Sequence, residues 1–361
     1  MARILVLTKR QYTKRDLLDD RFGRLRELPF ELGMRNHEVC GLCLSYQKRK
    51  EGIIQDGPVQ WESLNAGAMK ITGLLHFIMR ASARAAQADV IWACSDSFYG
   101  IMGYWLSRKH GIPLVFDLYD NFEHFLAARI PVLKHLYREV LRKCDAVTCV
   151  SHPLANLVTS YGRKTGISVV ENAVQRELFR PMSKEKCRAS MGLPQHVRLV
   201  GTAGALEKSR GISALLKAFG MLGRYPDVHL ALAGPRDLVI PREENIHDLG
   251  ILPYDKVPVF LNALDVAVVC LRNDRFGRYC FPQKAREIMA CNVPIIAARV
   301  GSMEALLKDH PSWLFEPEDS GDLIRALENR FRDQRTGYST VPTWADLAGD
   351  LEAIILETLK S

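Results

Sequence analysis

Val197-Arg198-Leu199-Val200-Gly201-Thr202-Ala203-Gly204-Ala205-Leu206-Glu207-Lys208-Ser209-Arg210-Gly211 opens the second half of the chain. Its first part, Val197–Thr202, is apolar throughout apart from Arg198, which suits a strand covered on both faces. Gly204 and Gly211 then punctuate the run. After them Ile212, Leu215, Leu216, Phe219 and Leu222 recur at a spacing of three and four, which predicts an amphipathic helix over Gly211–Leu222. A strand, a glycine turn and a helix form the repeating unit of a parallel sheet with helices packed against it.

The same alternation extends in both directions. Strand-like runs precede the quoted stretch at Arg3–Thr8, Glu38–Ser45, Val90–Cys94, Leu114–Leu118, Ala146–Val150 and Ser168–Glu171. They follow it at His229–Ala233, Val266–Leu271, Pro294–Ala298 and, more weakly, Trp313–Phe315. Two consecutive strand–helix series predict two doubly wound α/β domains, which the 361-residue length also favours over a single core. Leu178-Phe179-Arg180-Pro181 ends the first series, and a polar stretch, Ser183 to Arg188, precedes the second. The join is therefore expected near 175–185, with domains over 1–178 and 179–342. A last helix over 343–361 is expected to pack back on the N-terminal domain.

Composition narrows the classes. Hydrophobic residues at 47% and charged residues at 25% exclude a disordered chain, a collagen-like fibre and a coiled coil. No apolar run approaches the length of a membrane-spanning helix. The start, Met1 to Arg10, lacks the apolar core and cleavage site of a signal peptide, so a cytoplasmic location is expected. The nine cysteines are odd in number and irregularly spaced, which argues against a disulfide framework. Cys40 and Cys43 have CxxC spacing but lie inside an apolar run with no second ligand pair, and read as strand thiols. Residues 1–180 hold 26 Lys and Arg against 18 Asp and Glu, whereas residues 181–361 hold 23 of each. The basic excess lies wholly in the first half. It suits an acidic partner, such as a phosphorylated substrate or an anionic membrane, and it also suits solubility alone.

Four segments carry candidate chemistry. In Gly204–Gly211 the glycines admit a ligand close to the backbone, and Lys208 and Arg210 add cations at a helix start. Cations there oppose the helix dipole, a conflict that a bound phosphate resolves. The alternative is a turn with solvated charges. In Phe281-Pro282-Gln283-Lys284-Ala285-Arg286-Glu287-Ile288-Met289-Ala290, Pro282 suits a first helical position. Lys284 is again a first-turn cation, and its alternative is an i,i+3 ion pair with Glu287. The basic loop Arg272–Arg278 precedes it. Phe116-Asp117-Leu118-Tyr119-Asp120-Asn121-Phe122-Glu123-His124 sets carboxylates beside aromatic residues, which fits sugar hydroxyls or acid/base work. Helix capping by Asp120 or Asn121 fits equally well. Finally, Ile130–Lys143 has an apolar stripe of Val132, Leu133, Leu136, Tyr137, Val140 and Leu141. Arg129, Lys134, His135, Arg138, Arg142 and Lys143 line its other side, so it reads either as a core-facing helix or as one lying on an anionic bilayer.

No glycine fingerprint follows the first strand, and no Walker loop, GxSxG or HExxH occurs, so hydride transfer, P-loop hydrolysis and serine hydrolysis lack support. The basic half carries no nucleic-acid recognition motif, and no nucleic-acid partner is expected.

Taken together, the motifs resemble the family 4 retaining glycosyltransferases. The resemblance rests on Val170-Glu171-Asn172-Ala173-Val174 with Phe179-Arg180-Pro181, on Gly204–Gly211 with Leu215-Leu216-Lys217-Ala218-Phe219, and on Phe281–Ala290 with Val293-Pro294-Ile295-Ile296-Ala297. It implies two Rossmann-like domains facing a cleft, the GT-B arrangement. The N-terminal domain would take the acceptor, and the C-terminal domain a nucleotide-diphosphate sugar, with UDP or GDP as its nucleotide. By position, Glu287 would hold the ribose, while Arg210, Lys208, Gln283, Lys284, Pro282 and the backbone at Gly204 would surround the diphosphate. Asp120 would lie near the transferred sugar or the acceptor. No cofactor and no metal are implied. The acceptor would be a glycan or lipid-linked molecule in surface polysaccharide or glycolipid assembly, with the protein peripheral at the inner membrane face. Three positions depart from the family pattern. Its loop arginine falls on Ala205, its first glutamate on Tyr279, and a frequent histidine on Tyr119. A decayed, binding-only protein and a nucleotide-sugar epimerase of the same fold are the alternative readings.

Overall fold

The computed structural model describes all residues except 13–14, 68–70, 125–129, 223–224, 339 and 361. Two compact units emerge, one of Met1–Asn172 with Trp344–Ser361 and one of Ala173–Thr343. These divisions compare with expected boundaries at 178/179 and 342/343.

The first unit runs β1 (Arg3–Lys9), β2 (Gln11–Tyr12), β3 (Arg15–Asp16), α1 (Arg24–Met34), β4 (Glu38–Ser45), β5 (Gly52–Asp56), β6 (Val59–Asn65) and α2 (Ile71–Ala85). It continues through β7 (Val90–Ala93), α3 (Ser97–His110), β8 (Leu114–Leu118), α4 (Pro131–Lys143), β9 (Ala146–Cys149), α5 (His152–Ser160) and β10 (Ile167–Val169). Eight strands form one sheet in the order β10-β9-β8-β7-β1-β4-β6-β5. Every pairing is parallel except β5 with β6. The central strands β7, β8 and β9 are buried along their whole length, the consequence of helices on both faces. From β1 the chain steps one way to β4 and β6, then returns across the sheet to β7 and continues the other way. The reversal lies between β1 and β7.

The second unit runs α6 (Lys184–Ser190), β11 (Arg198–Ala203), α7 (Ile212–Met221), β12 (Val228–Ala233), β13 (Ile246–Asp248), α8 (Val257–Ala263), β14 (Val266–Val269) and α9 (Arg275–Tyr279). Then come α10 (Gln283–Ala290), β15 (Ile295–Ala298), α11 (Ser302–Leu306), β16 (Leu314–Phe315) and α12 (Ser320–Arg332). Its sheet is wholly parallel, in the order β13-β12-β11-β14-β15-β16. The last helix, α13 (Trp344–Thr358), belongs to the first unit. There Glu352 accepts from Arg35 at 3.0 Å and shares a hydrogen bond with His37 at 2.8 Å.

Several elements differ from expectation. The antiparallel pair of β2 and β3 and strands β5, β6 and β13 are additional. Strand β6 reads Val-Gln-Trp-Glu-Ser-Leu-Asn, and its buried Glu62 obscures any apolar run. Arg80 and Arg84 pair with that carboxylate at 2.5 and 2.8 Å, so the polar residue is tolerated inside. Beside it, Trp61 packs where a Cβ on Gly41 would stand 2.1 Å from the ring, so only glycine fits on β4 there. Pro282 is the residue before α10 rather than its first residue, with ψ at 110°. The nine thiols are free, and burial pushes Cys43 up to about 12.

Candidate functional site

The second unit gathers most of the candidate residues at the carboxyl ends of its strands. Strand β11 ends at Ala203, and the chain turns at Gly204 with φ at +108°. A tight crossing fixes this turn. A Cβ on neighbouring Gly234 would stand 1.9 Å from the Gly204 carbonyl oxygen, and Gly234 itself has φ at +141°. Leu206 then bridges to Arg236, which holds the loop beside the end of β12.

Lys208 and Arg210 lie in a single 3-10 turn, Lys208–Arg210, and α7 begins only at Ile212 after the left-handed Gly211. The two cations diverge. Lys208 is exposed and its backbone N–H donates to Asp237 at 3.0 Å. It borders a surface groove with Ser213, Leu216 and Arg236. Arg210 is half-buried, with its guanidinium 3.5 Å from the centroid of the Phe276 ring on α9. That stacking restrains the fork while leaving its N–H donors available.

Lys284 completes the group from α10. A Cβ on Gly204 would stand 3.3 Å from Lys284 Nζ, so the ammonium rests against the glycine turn. Burial pushes its pKa down, the charges of Cys270 and Glu287 oppose this, and nearby Arg210 adds to the depression. Among the described residues no carboxylate pairs with Lys284 or Arg210 in an ion pair, so the i,i+3 alternative with Glu287 is not formed. Two cations beside a glycine turn at a strand end concentrate positive charge there, an electrostatic setting that favours an anion.

Glu287 and Gln283 have a different environment. Glu287 is buried, and its Oε1 accepts from Tyr254 Oη at 3.1 Å and from Gln283 Nε2 at 3.0 Å. Gln283 also donates to Tyr254 Oη at 3.3 Å. The amide of Gln283 thus orients the carboxylate instead of pointing to the Lys284 cluster. Sequence analysis did not single out Tyr254. In the basic loop, Arg272 pairs with Glu318 at 3.1 Å and Arg278 Nε donates to Asn273 at 2.7 Å. Asp274 caps α9 by accepting from the N–H groups of Phe276 and Gly277.

Asp120 belongs to the first unit. It is buried just past β8, where its Oδ1 accepts from the Asn121 N–H at 2.7 Å. Asn121 in turn caps the 3-10 turn Phe122–His124 through the Glu123 N–H at 3.1 Å. Glu123 is committed to Arg138 at 2.6 Å and Lys134 at 3.5 Å, so it is a structural anchor for α4. On α4 itself Tyr137, Val140 and Leu141 are buried, while Val132 and Leu136 face solvent. Arg129 lies outside the described residues.

Comparison with known proteins bears on the family and the fold. The sequence profile described as Glycosyltransferase Family 4 matches residues 24–178, and that described as Glycosyl transferases group 1 matches residues 197–333. A D-inositol 3-phosphate glycosyltransferase of Saccharomonospora viridis is 30% identical over 181 residues, covering 45% of this chain and 41% of that protein. The chain matches less than half the length of the first two such relatives. Among solved structures, Anabaena HepE in complex with UDP-glucose has a TM-score of 0.69 at 18% identity, covering 99% of this chain and 96% of that one. The catalytic domain of Arabidopsis thaliana starch synthase IV, bound to ADP and acarbose, has a TM-score of 0.75 at 12% identity over 100% of both chains. The two parallel-sheet units carry the GT-B fold of these enzymes. With both halves of the chain matched by its profiles, the protein belongs to the family 4 glycosyltransferases.

Proposed function

We propose that the protein transfers a sugar from a nucleotide-diphosphate donor to a hydroxylated acceptor, with retention at the anomeric carbon. The observation that carries this reading is the meeting of Lys284 and Arg210 at the Gly204 turn, with neither cation in an ion pair among the described residues. Breaking the donor's glycosidic bond leaves negative charge on the diphosphate, and fixed cations in a half-buried setting stabilise it without reorganising. Glu287, oriented by Tyr254 and Gln283, would accept from the ribose hydroxyls. Lys208, on the outer flank of the loop, would supply the cation that Ala205 lacks. These fixed cations would do the electrostatic work in a metal-independent transfer. HepE with UDP-glucose and the starch synthase with ADP supply the precedents for the donor, with UDP or GDP the nucleotide proposed here.

For the acceptor we propose a glycan or lipid-linked molecule used in surface polysaccharide or glycolipid assembly, with the protein peripheral at the inner membrane face. The basic excess of the first half and the outward apolar residues Val132 and Leu136 on α4 support it. No helix among the described residues is long and apolar enough to cross a membrane.

A thermal-shift panel with UDP, GDP, ADP, dTDP and their sugars tests the donor site. A ligand at about 100 times its Kd adds roughly 2.7 kcal/mol, and one nucleotide is expected to raise Tm by several degrees. Lys284→Met should abolish that shift. Folded protein that responds to no nucleotide would overturn the proposal, and product analysis separates transfer from epimerisation of the donor.

A further inference from the structure

The sheet of the first unit ends at β10, which pairs with β9 and with no second strand among the described residues. The ladder fixes which way its backbone points. The Val147 N–H donates to the Gly166 carbonyl at 2.8 Å, and the Val170 N–H donates to the Cys149 carbonyl at 2.9 Å. Along a parallel ladder, alternate residues turn both backbone groups towards the same neighbour. Gly166, Ser168 and Val170 therefore face β9, whereas the N–H and C=O groups of Ile167 and Val169 point outward from the sheet.

This edge lines a groove of about 710 Å³ within the first unit. One wall is α5, through His152, Ala155 and Thr159, and the other is α13, through Leu347 and Asp350. Topology explains the two walls. The steps from β1 to β4 and from β9 to β10 run in opposite directions along the sheet, so right-handed crossovers put α1 and α5 on opposite faces. Helix α13 packs on α1, and α5 packs on β9 and β10. The groove is thus a slot at the sheet edge with a helix on either side. A strand in such a slot fills about 160 Å³ per residue, from its rise, the strand spacing and the layer depth, so the groove has room for about four or five residues.

Exposed edges are commonly guarded by a charge, a proline or a bulge. Here the outward residues Ile167 and Val169 are apolar and half-buried, and neither a charge nor a proline stands between Lys164 and Glu171. Those two charges line opposite ends of the groove. The edge is therefore complementary to itself run in reverse. A second copy related by a two-fold axis presents that reversed edge, because an isologous contact pairs each residue with its symmetry counterpart. Lys164 would meet Glu171 of the partner subunit, and the symmetry repeats the contact. In the same register Ile167 stands opposite Val169 of the partner subunit, and each such pair exchanges both N–H···O bonds through the outward backbone groups.

We propose that the β10 edge is the interface of a symmetric dimer, in which two copies of this chain join antiparallel, strand to strand, into one continuous sheet. Sedimentation equilibrium of the full chain at up to about 0.5 mM tests it, a range that captures weak association. A dimer is expected, and Val169→Pro should raise its dissociation constant about tenfold or more, since each copy loses an outward N–H while the bonds to β9 remain. Lys164→Glu and Glu171→Lys should each weaken the dimer, because each sets like charges together at both ends. An equimolar mixture of these two variants should restore association, since every end then pairs opposite charges. Far-UV circular dichroism checks that each variant is folded, and if Val169→Pro is not, the mixing experiment decides alone. A chain that stays monomeric throughout would overturn the proposal and leave the groove to a strand of another protein. Dimers that folded Val169→Pro leaves unweakened would overturn it too, as would charge variants that fail to recover on mixing.

Discussion

At the residue scale, buried charge pairs organise both units. Arg24 and Asp117 have fully buried side chains 2.6 Å apart, and Arg24 also donates to the carbonyls of Val170 and Glu171 at 2.7 Å each. Thr148 donates to the same Asp117. Arg24 thus ties the first turn of α1 to the chain just past β10. Removing one member of such a pair strands the other, so Asp117→Asn should cost about 3–5 kcal/mol, read as a lower urea midpoint. In the second unit Gly234→Ala would drive a Cβ into the Gly204 carbonyl at a positive φ. That variant should lose about 1–3 kcal/mol of stability and also lose nucleotide binding, checked by calorimetry with the nucleotide that stabilises the wild type. Arg210→Ala should lower kcat/KM about 100-fold or more, since it removes a cation aimed at leaving-group charge, while leaving far-UV circular dichroism unchanged. Near-normal turnover in that variant would sink the role given to Arg210.

At the element scale, the edge strand β13 is joined to β12 partly by histidines. His229 Nδ1 and His247 Nε2 are 2.9 Å apart, with their rings stacked 14° from parallel. One ring must donate and the other accept, so the bond needs at least one neutral imidazole. Burial, and after it the charge of His229, lower the pKa of His247 below its ordinary 6.5. The unfolded chain therefore takes up the proton first as pH falls. Stability from this pair is fully present above about 6.5 and declines as pH drops through that value towards the lower folded pKa. His247→Gln should flatten this part of the profile, measured as Tm between pH 7.5 and 5.5. An unchanged acid slope in the variant would show that other groups carry it. A salt bridge between Arg236, in the loop after β12, and Asp248 at the end of β13 also joins this edge.

At the scale of the whole molecule, charge and apolar exposure coincide in one helical layer of the first unit. Helices α2, α3 and α4 pack side by side. Their outward positions include Leu75 and Met79 on α2, Trp105 on α3, and Val132 and Leu136 on α4. Lys109 lies over the Trp105 ring at 5.0 Å, and Arg142 and Lys143 extend from the end of α4. If this layer meets a bilayer, the protein should sediment with phosphatidylglycerol vesicles and not with phosphatidylcholine ones, and salt should weaken the association. The double variant Val132→Glu with Leu136→Glu should stay in the supernatant while its nucleotide-induced thermal shift is retained. Equal sedimentation of wild type and variant would remove this face from the account.

Local patterning alone determined the two α/β domains, because strands covered on both faces must be apolar along their length and helices between them must repeat every three or four residues. The Gly204 turn, Arg210 and Lys284 drew attention for a related reason, since glycine and cations near a helix start are local signals, whereas a role for Glu287 came only from the family resemblance. What only the tertiary structure decided depends on groups distant in sequence. Tyr254 proved to be one partner of Glu287, and the ring beneath Arg210 proved to be Phe276. Strand β6 escaped a reading of apolar runs because arginines from α2 make Glu62 acceptable inside. The groove beside β10 takes its walls from α5 and α13, which are far apart in sequence and meet only because the last helix returns to the first unit. Periodicity records how each segment faces its core, whereas the chemistry of a site is set by which strand ends the topology makes neighbours.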